Sequence, residues 1–285
     1  MLLVVQAAAT TAQAGAALTE EAVARVAALC AGRDPARIDA SVVRMHADPA
    51  AAAAVADFCR AHRLDCAWLA EERQLADVGL VTMDMDSTLI TIECIDEIAD
   101  MQSLKPQVAA ITAAAMRGEL DFPASLRRRV ALLQGLDAAA LQRVYDERLR
   151  LSPGADTMLA RFRQLGIKTL LLSGGFTFFT ERLKQRLALD YTRSNTLEIA
   201  GGKLTGQVTG DIVDADVKRA ALLEARERLG IGSTQIIALG DGANDLKFMA
   251  EAGVSVAYHA KPVVRAQATH ALNYVGLDGV LNLFN

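Results

Sequence analysis

Two acidic stretches of the sequence carry residues that could perform chemistry together. The stretch DMDST contains Asp84 and Asp86, which stand two positions apart. The stretch GDGAND contains Asp241, Asn244 and Asp245. Carboxylates that converge on one place repel each other, so they favour a hard divalent cation. Mg²⁺ suits such a site because it accepts one or two carboxylates together with phosphate oxygens.

Each stretch also has an ordinary structural interpretation. Asp, Ser and Thr are common at helix N-termini, so DMDST could be only a turn or a cap. GDGAND could likewise be a glycine turn in which Asn244 or Asp245 caps the next helix. Both stretches follow predicted strands, however, and this shared position favours a functional role.

The strands that must position these residues form a recurring pattern. Apolar runs of strand length occur in VGLVTMD, IKTLLLSGG, TQIIALGDG, GVSVAYH and HALNYVG. Amphipathic segments separate these runs. One segment has a clear apolar face, formed by Met158, Leu159, Phe162 and Leu165, and another has a less regular face, formed by Leu222, Leu223, Ala225, Arg226 and Leu229. This alternation predicts an α/β fold with a parallel sheet covered on both faces. Ligands bind at the carboxyl ends of such strands.

Three other segments depart from this alternation. Every stretch between residues 92 and 149 has a helical pattern, which predicts a helical insertion after the first strand of the sheet. NTLEIAGGKLTGQVTG predicts a hairpin, because two strand-like runs flank a pair of glycines. Residues 1–76 alternate short strands with short helices and predict a small α/β module.

Composition limits the possible partners and locations. The net charge of −4 and the lack of a Lys/Arg-rich run argue against a nucleic-acid surface or a basic membrane patch. No run reaches the roughly 18 apolar residues of a membrane span. The start, MLLVVQAAATTAQAGAA, lacks the basic residues of a signal peptide. Four cysteines without metal or disulfide spacing favour reduced thiols and a cytoplasmic protein.

Four motifs together resemble a known family. DMDST, the serine of LLLSGGF, the lysine of DADVKRA and GDGAND are similar, in this order, to the motifs of the haloacid dehalogenase-like phosphatases. The resemblance spans residues 77–270. Longer stretches, such as MDMDSTLITIECIDEIAD and GDGANDLKFMAEAGVSVAYHAKP, resemble the phosphoserine phosphatases within that family. The resemblance implies a Rossmann-like core with a helical cap and Mg²⁺-dependent hydrolysis of O-phospho-L-serine, the last step of serine biosynthesis.

The resemblance also implies roles for residues of the core. Asp84 is the expected nucleophile, which forms an aspartyl-phosphate, and Asp86 is the expected general acid and base. The expected metal ligands are the Asp84 side chain, the Asp86 backbone carbonyl and Asp241, and Asp245 orients groups around them. Phosphate is expected to contact Ser173, the Gly174 N–H, Lys218 and Asn244. Taken alone, Ser173 could merely end a strand, and Lys218 could be a solvated lysine.

Selectivity is expected to come from the insertion. Glu93 resembles the acid that binds the substrate ammonium, and Arg129 resembles the arginine that binds its carboxylate, for which a guanidinium offers bidentate geometry. The neighbouring arginines of RRR fit a solvated basic face. Met116 and Phe122 are candidates for the wall of the pocket, and either could equally belong to a helix core.

The resulting prediction has three parts and leaves some alternatives open. We expect an ACT-like regulatory module at 1–76, a phosphatase core at 77–91 and 150–285, and a helical cap at 92–149. The module could bind serine, support dimerisation or only stabilise the fold, and the sequence leaves an oligomer open. Other functions are a phosphotransferase or small-molecule phosphatase of the same superfamily, or an amino-acid sensor with a vestigial site.

Overall fold

Two β-sheets organise the chain, a small antiparallel one and a large, mostly parallel one. The structure is a computed structural model that describes residues 1–8, 18–69 and 73–284. Parts of two sequence predictions, the absence of a signal peptide and the boundary between the first two units, concern residues 9–17 and 70–72 and so lie outside this range. Within it, no helix is long and apolar enough to cross a membrane.

The small sheet belongs to the first part of the chain. Its strands have the order β2-β3-β1-β4 and two helices connect them, which gives the β-α-β-β-α-β succession of ferredoxin-like folds. The first of these helices is capped by Thr19, whose hydroxyl accepts a hydrogen bond from the Ala22 N–H in the first turn. The elements are β1 (Leu2–Gln6), α1 (Glu20–Leu29), β2 (Arg33–Asp39), β3 (Val42–His46), α2 (Ala52–Ala61) and β4 (Asp65–Leu69).

The central strand β1 of this small sheet is covered on both faces. Leu3 and Val5 of β1 pack with the apolar residues of α1 and α2. Val4, between them, points the other way and joins the apolar core of the large sheet. Because successive side chains of a strand alternate between faces, a strand covered on both faces needs a continuous apolar run, which LLVV provides.

The large sheet has the strand order β11-β10-β9-β5-β6-β7-β8. All neighbouring pairs are parallel except β7 and β8, which form the predicted hairpin. The predicted parallel sheet is therefore confirmed. Its strands are β5 (Leu80–Asp84), β6 (Lys168–Phe176), β7 (Tyr191–Ala200), β8 (Lys203–Thr209), β9 (Ile236–Gly240), β10 (Val254–Tyr258) and β11 (His270–Leu272).

Helices cover the two faces of the large sheet. The first of them buries Met158, Leu159 and Phe162, as the apolar spacing predicts, and Leu165 follows its end. The helix that carries Lys218 instead buries Lys218, Leu222 and Ala225. The helices are α7 (Ala155–Gln164), α8 (Thr177–Leu187), α9 (Ala215–Leu229), α10 (Leu246–Met249) and α11 (Pro262–Arg265).

The helical insertion lies between β5 and β6, as the sequence predicts. It consists of α3 (Cys94–Asp100), α4 (Lys105–Met116), α5 (Phe122–Ala131) and α6 (Ala139–Arg143). A bridge between Ile90 and Leu151 closes its base. The β7–β8 hairpin holds it at a second place, where the N–H of Gly135 donates to the Leu204 carbonyl at 2.8 Å. The insertion is thus anchored on two sides of the carboxyl ends of β5 and β6.

Candidate active site

The first acidic stretch forms the end of β5 and a tight turn. Asp84 is the last residue of the strand and is almost fully buried, and its Oδ1 accepts a hydrogen bond from the Met85 N–H at 2.8 Å. Ser87 then adopts a left-handed backbone conformation with φ of 56°. Its hydroxyl donates to Oε1 of Glu93 at 2.7 Å. The turn therefore links the end of the sheet to Glu93, the residue before the first helix of the insertion.

The side chain of Lys218, on α9, contacts this turn. Its Nζ donates to Oδ1 of Asp84 at 2.8 Å and to Oδ1 of Asp245 at 2.9 Å, and its side chain is only 1% exposed. Burial alone would lower the pKa of Lys218, but the neighbouring Asp245 and Asp84 raise it above its ordinary value. The lysine is therefore a permanent cation that joins the two acidic stretches.

The second acidic stretch follows β9 and meets the first. Carboxylate oxygens of Asp84, Asp241 and Asp245 lie within 4.8 Å of one another. Asp245 is fully buried and fixes its own loop, because its Oδ2 accepts the N–H groups of Asp241 and Gly242 at 3.2 and 3.1 Å. The hydroxyl of Thr88 donates to Oδ1 of Asp241 at 3.2 Å.

The charges of this cluster do not balance. Burial, and then Asp245, raise the pKa of Asp84 well above its ordinary value, even though Lys218 lowers it. Burial, followed by the charges of Asp245 and Glu93, raises the pKa of Asp241 to about 6. Three carboxylates and a single contacting ammonium leave an excess of negative charge among oxygen ligands. This donor set fits a hard divalent cation.

Asp86 lies beside the cluster with its carboxylate held in place. Its Oδ1 accepts the N–H of Cys94 at 2.8 Å, and the Ser173 hydroxyl donates to its Oδ2 at 3.5 Å. Burial, and then the charge of Glu93, raise the pKa of Asp86 to about 7. A carboxyl group in this environment can carry or release a proton near neutral pH.

The second strand end contributes the SGG stretch of β6. Ser173 is fully buried, and its hydroxyl accepts the N–H of Gly175 at 2.9 Å. A Cβ atom on Gly174 would lie 2.8 Å from Cζ of Phe122, and one on Gly175 would lie 2.8 Å from Oδ2 of Asp86. A side chain at either position would therefore displace Phe122 or the carboxylate of Asp86, because the insertion and the acidic turn approach this backbone closely.

A cavity of about 410 Å³ separates the strand ends from the insertion. We call it the active-site cavity. Arg129 of α5 lines it and has no ion pair among the residues that the structure describes; its Nε only donates to the Ser125 carbonyl at 3.4 Å. Burial lowers the pKa of Arg129. Glu93, Met116 and Phe122 line the same cavity.

The structure separates the predicted site residues into two groups. Nine of them line the active-site cavity, namely Asp84, Asp86, Glu93, Met116, Phe122, Arg129, Gly174, Asp241 and Asn244. Ser173, Lys218 and Asp245 lie beneath its floor and contact the lining residues by hydrogen bonds. Met116 is at the open rim, with 70% of its surface exposed.

Some contacts around the site were not predicted. Ser87, Thr88 and Cys94 each hold a predicted residue by one hydrogen bond. Ser87 and Thr88 belong to the quoted DMDST stretch, where a hydroxyl next to a carboxylate is a usable signal. The backbone N–H of Cys94 carries no such signal in the sequence.

Comparisons with known proteins identify the family of the chain. The model of the haloacid dehalogenase-like hydrolase family matches residues 78–253. A protein of Polaromonas sp. named phosphoserine phosphatase is 56% identical over 215 residues, which cover 74% of this chain and 91% of that protein.

Solved structures extend the likeness to the fold. The unliganded crystal structure of a probable phosphoserine phosphatase from Vibrio cholerae covers 99% of this chain, with 85% of that chain matched, 38% identity and a TM-score of 0.84. A structure described as a phospho-aspartyl intermediate analogue of phosphoserine phosphatase covers 73% of this chain and is itself matched over 99%, with 34% identity and a TM-score of 0.68. The chain therefore belongs to the haloacid dehalogenase-like hydrolase family, in the group that contains the phosphoserine phosphatases.

Proposed function

We propose that the chain hydrolyses O-phospho-L-serine to L-serine and phosphate in a Mg²⁺-dependent reaction through an aspartyl-phosphate. One observation carries the proposal: Asp84, paired with Lys218 beneath it, lies in the floor of a cavity whose roof presents Arg129, which has no ion-pair partner among the described residues. The phosphate end and the amino-acid end of one small substrate would satisfy these two regions. The likeness to the phospho-aspartyl intermediate analogue supports the covalent step.

Asp84 is the proposed nucleophile. Its carboxylate oxygen attacks phosphorus, and the bond between phosphorus and the seryl oxygen breaks. Asp86, on the same turn, donates a proton to the departing seryl oxygen. In the second half of the reaction Asp86 takes a proton from water, whose oxygen attacks phosphorus and releases Asp84. One residue can serve both halves because the Cys94 N–H keeps its carboxylate beside the cavity.

The proposed metal site consists of the Asp84 side chain, the backbone carbonyl of Asp86 and the Asp241 side chain. Mg²⁺ held there supplies positive charge against the phosphate oxygens and offsets the excess charge of the acidic cluster. Asp245 stays outside this set. It already accepts the Asp241 and Gly242 N–H groups and the Lys218 ammonium, so its role is to hold the loop and the lysine.

Four groups are proposed to place the phosphate. The N–H of Gly174 and the Ser173 hydroxyl lie at the end of β6, and Asn244 lies across the cavity. Lys218 keeps Asp84 oriented and neutralises charge as the phosphoryl group approaches. Phosphoryl transfer gains mostly from such positioning and charge stabilisation.

Recognition of the amino acid is proposed to depend on the two charged residues of the roof. Arg129 would bind the substrate carboxylate, and Glu93 would bind its ammonium. A ligand that lacks these groups leaves the half-buried Arg129 unpaired, and an unpaired charge in a closed site costs several kcal/mol. Met116 and Phe122 belong to the apolar part of the cavity wall. This wall would exclude water if the insertion closes over a bound substrate.

The division into units and the location of the protein are part of the proposal. We assign residues 1–76 to an N-terminal module, 77–91 and 150–285 to the phosphatase core, and 92–149 to the helical cap. The ferredoxin-like succession of the first unit supports an ACT-like module. The four cysteines are all free thiols, which supports a cytoplasmic protein.

The test is phosphate release from L-phosphoserine and from p-nitrophenyl phosphate, each with Mg²⁺ and with a chelator. We expect turnover of L-phosphoserine only with Mg²⁺, and loss of this turnover in Asp84→Asn. Asp211→Asn, which changes an exposed carboxylate away from the cavity, is the matched control.

Arg129→Ala tests the choice of substrate, with Arg128→Ala as its control on the exposed side of the same helix. Arg129→Ala should lower kcat/KM for L-phosphoserine by about 100-fold and leave p-nitrophenyl phosphate nearly unchanged. Equal turnover of both substrates, unaltered in Arg129→Ala, would falsify amino-acid recognition. Retained turnover in Asp84→Asn would remove the covalent mechanism.

A further inference from the structure

The hydrogen-bond ladder between β6 and β7 is interrupted at the glycine stretch. Leu172 pairs with Arg193, but the next pair joins Phe176 to Asn195, so that three residues of β6 face one residue of β7. Such a bulge leaves backbone groups without their regular strand partners. The carbonyl of Gly174, in the middle of the bulge, needs another donor.

The side chain of Asn195 supplies this donor. Its Nδ2 donates to the Gly174 carbonyl at 2.8 Å, and the residue is only 2% exposed. The Gly174 carbonyl and the Gly175 N–H belong to the same peptide group, and that N–H donates to the Ser173 hydroxyl. Two successive glycines have wide backbone freedom, so this peptide depends on outside contacts for its orientation.

The other end of the Asn195 amide holds a second element of the site. Its Oδ1 accepts the N–H of the buried Val213 at 2.8 Å. The next residue, Asp214, caps α9 by accepting the N–H groups of Asp216 and Val217. Lys218 lies in the first turns of that helix. One buried amide therefore joins the glycine stretch to the start of the helix that carries the lysine.

We propose that Asn195 is a positioning residue for phosphoryl transfer. Its amide fixes the Gly174–Gly175 peptide against the start of α9 and thereby sets the distance between Ser173, which contacts Asp86, and Lys218, which contacts Asp84. An amide fits, because one contact needs a donor and the other an acceptor, and its Nδ2 and Oδ1 provide them on two separate atoms. The inference rests on the proposed phosphatase function, since it assigns a role within that reaction.

The experiment compares Asn195→Ala and Asn195→Asp with Thr180→Val. The aspartate keeps an acceptor for Val213 and loses the donor for Gly174. Thr180 is a matched control, because it is fully buried and its hydroxyl bonds to that of Ser194, the neighbour of Asn195, without contacting the glycine stretch. Turnover of L-phosphoserine is measured with saturating Mg²⁺, well below the Tm of each variant.

Both Asn195 variants should lose kcat by about 10- to 100-fold, as expected when reacting groups are displaced by about 1 Å, with a change in KM of less than about threefold. Thr180→Val should keep kcat within about twofold of the wild type, even if its Tm falls as far as the Tm of the Asn195 variants. A kcat near the wild-type value in either Asn195 variant, or an equal loss in Thr180→Val, would overturn the inference. If the wild type itself fails to turn over L-phosphoserine, the proposed function fails instead, and the same comparison is made with p-nitrophenyl phosphate.

Discussion

The Nζ atom of Lys218 lies 2.8 Å from Oδ1 of Asp84, on a helix face that is otherwise apolar. Lys218, Leu222 and Ala225 are the buried residues of α9, at the spacing of a core-facing stripe. A buried ammonium is costly by itself, and here two carboxylates compensate it. The lysine thus connects the stability of the core to the charge of the active site.

Removing this lysine should destabilise the protein, and Mg²⁺ should partly reverse the loss. Lys218→Met leaves Asp84 and Asp245 without their common cation, which should cost about 3 kcal/mol in the free energy of unfolding. The more negative cluster should also gain more from a bound cation. The measurement is the Tm of wild type and variant with chelator and with Mg²⁺, where the Mg²⁺-induced rise should be larger in the variant.

Lys247→Met is the control for this experiment, because Lys247 pairs with the exposed Asp216. Surface pairs contribute about 0–1 kcal/mol, so its Tm and its response to Mg²⁺ should stay near those of the wild type. The same Tm for Lys218→Met and wild type in chelator would show that the buried pair contributes nothing to folding.

Ser87 combines backbone strain with a contact to the proposed ammonium site. Its φ of 56° costs a non-glycine residue about 1–2 kcal/mol, and its hydroxyl donates to Glu93 at 2.7 Å. Ser87→Ala keeps the strain and Ser87→Gly relieves it, while both delete the hydroxyl. We therefore expect the glycine variant to be more stable than the alanine variant by about 1 kcal/mol.

The two Ser87 variants should nevertheless share one kinetic defect. Glu93 loses the hydrogen bond that orients it, so KM for L-phosphoserine should rise about three- to tenfold in both. KM for p-nitrophenyl phosphate, which has no ammonium, should stay within about twofold. A rise in KM that is larger in the less stable Ser87→Ala than in Ser87→Gly would instead point to backbone strain. It would contradict the role of the Ser87 hydroxyl in orienting Glu93.

The sequence is most informative about residues that are brought together by their position along the chain. Asp84 ends β5, Asp241 directly follows β9, and Ser173 comes just after the last regular pair of β6 and β7, so the topology alone brings these residues together. Lys218 could be assigned only through motif order, because its helix is rich in charge. The observed buried stripe differs from the predicted one, since Leu223 and Arg226 are only half-buried.

Asn195 shows what the sequence could not provide. It lies in a strand whose pattern predicts only a hairpin, and its two partners are backbone groups that are 21 and 18 residues away. Backbone N–H and carbonyl groups are nearly the same in every residue, so no pattern of side chains predicts contacts with them. The bulge that makes the contact necessary also depends on the register between β6 and β7, which a single sequence does not determine.

The partly buried His270 of β11 should make the protein less stable in mild acid. Burial, and then the charge of Arg73, lower the pKa of His270 to about 4, against about 6.5 in an unfolded chain. The unfolded state therefore binds a proton more readily, so the contribution of His270 is fully present above pH 6.5 and is lost as the pH falls toward 4. The expected loss is about 2–3 kcal/mol.

The measurement is the free energy of unfolding of wild type and His270→Gln between pH 4 and pH 7.5. Glutamine does not titrate, so the variant should be less sensitive to acid, and the difference between the two proteins should shrink as the pH falls below 6.5. A difference that stays constant over this range would show that His270 is not the group responsible.

Asp65 of β4 joins the small sheet to the core, and its removal should destabilise the protein. Its buried carboxylate accepts the backbone N–H groups of Asn273, Tyr274 and Val275 at 2.8–3.0 Å, and also the side-chain amide of Asn273. Asp65→Ala leaves these donors without an acceptor, which should cost about 3 kcal/mol and lower the Tm measurably. Asp39→Ala, which removes only an exposed local contact with Ser41, should lower the Tm little.

Because Asp65 does not line the active-site cavity, kcat measured well below the Tm should stay within about twofold in both variants. A Tm of Asp65→Ala as high as that of Asp39→Ala would mean that other contacts hold the small sheet against the core.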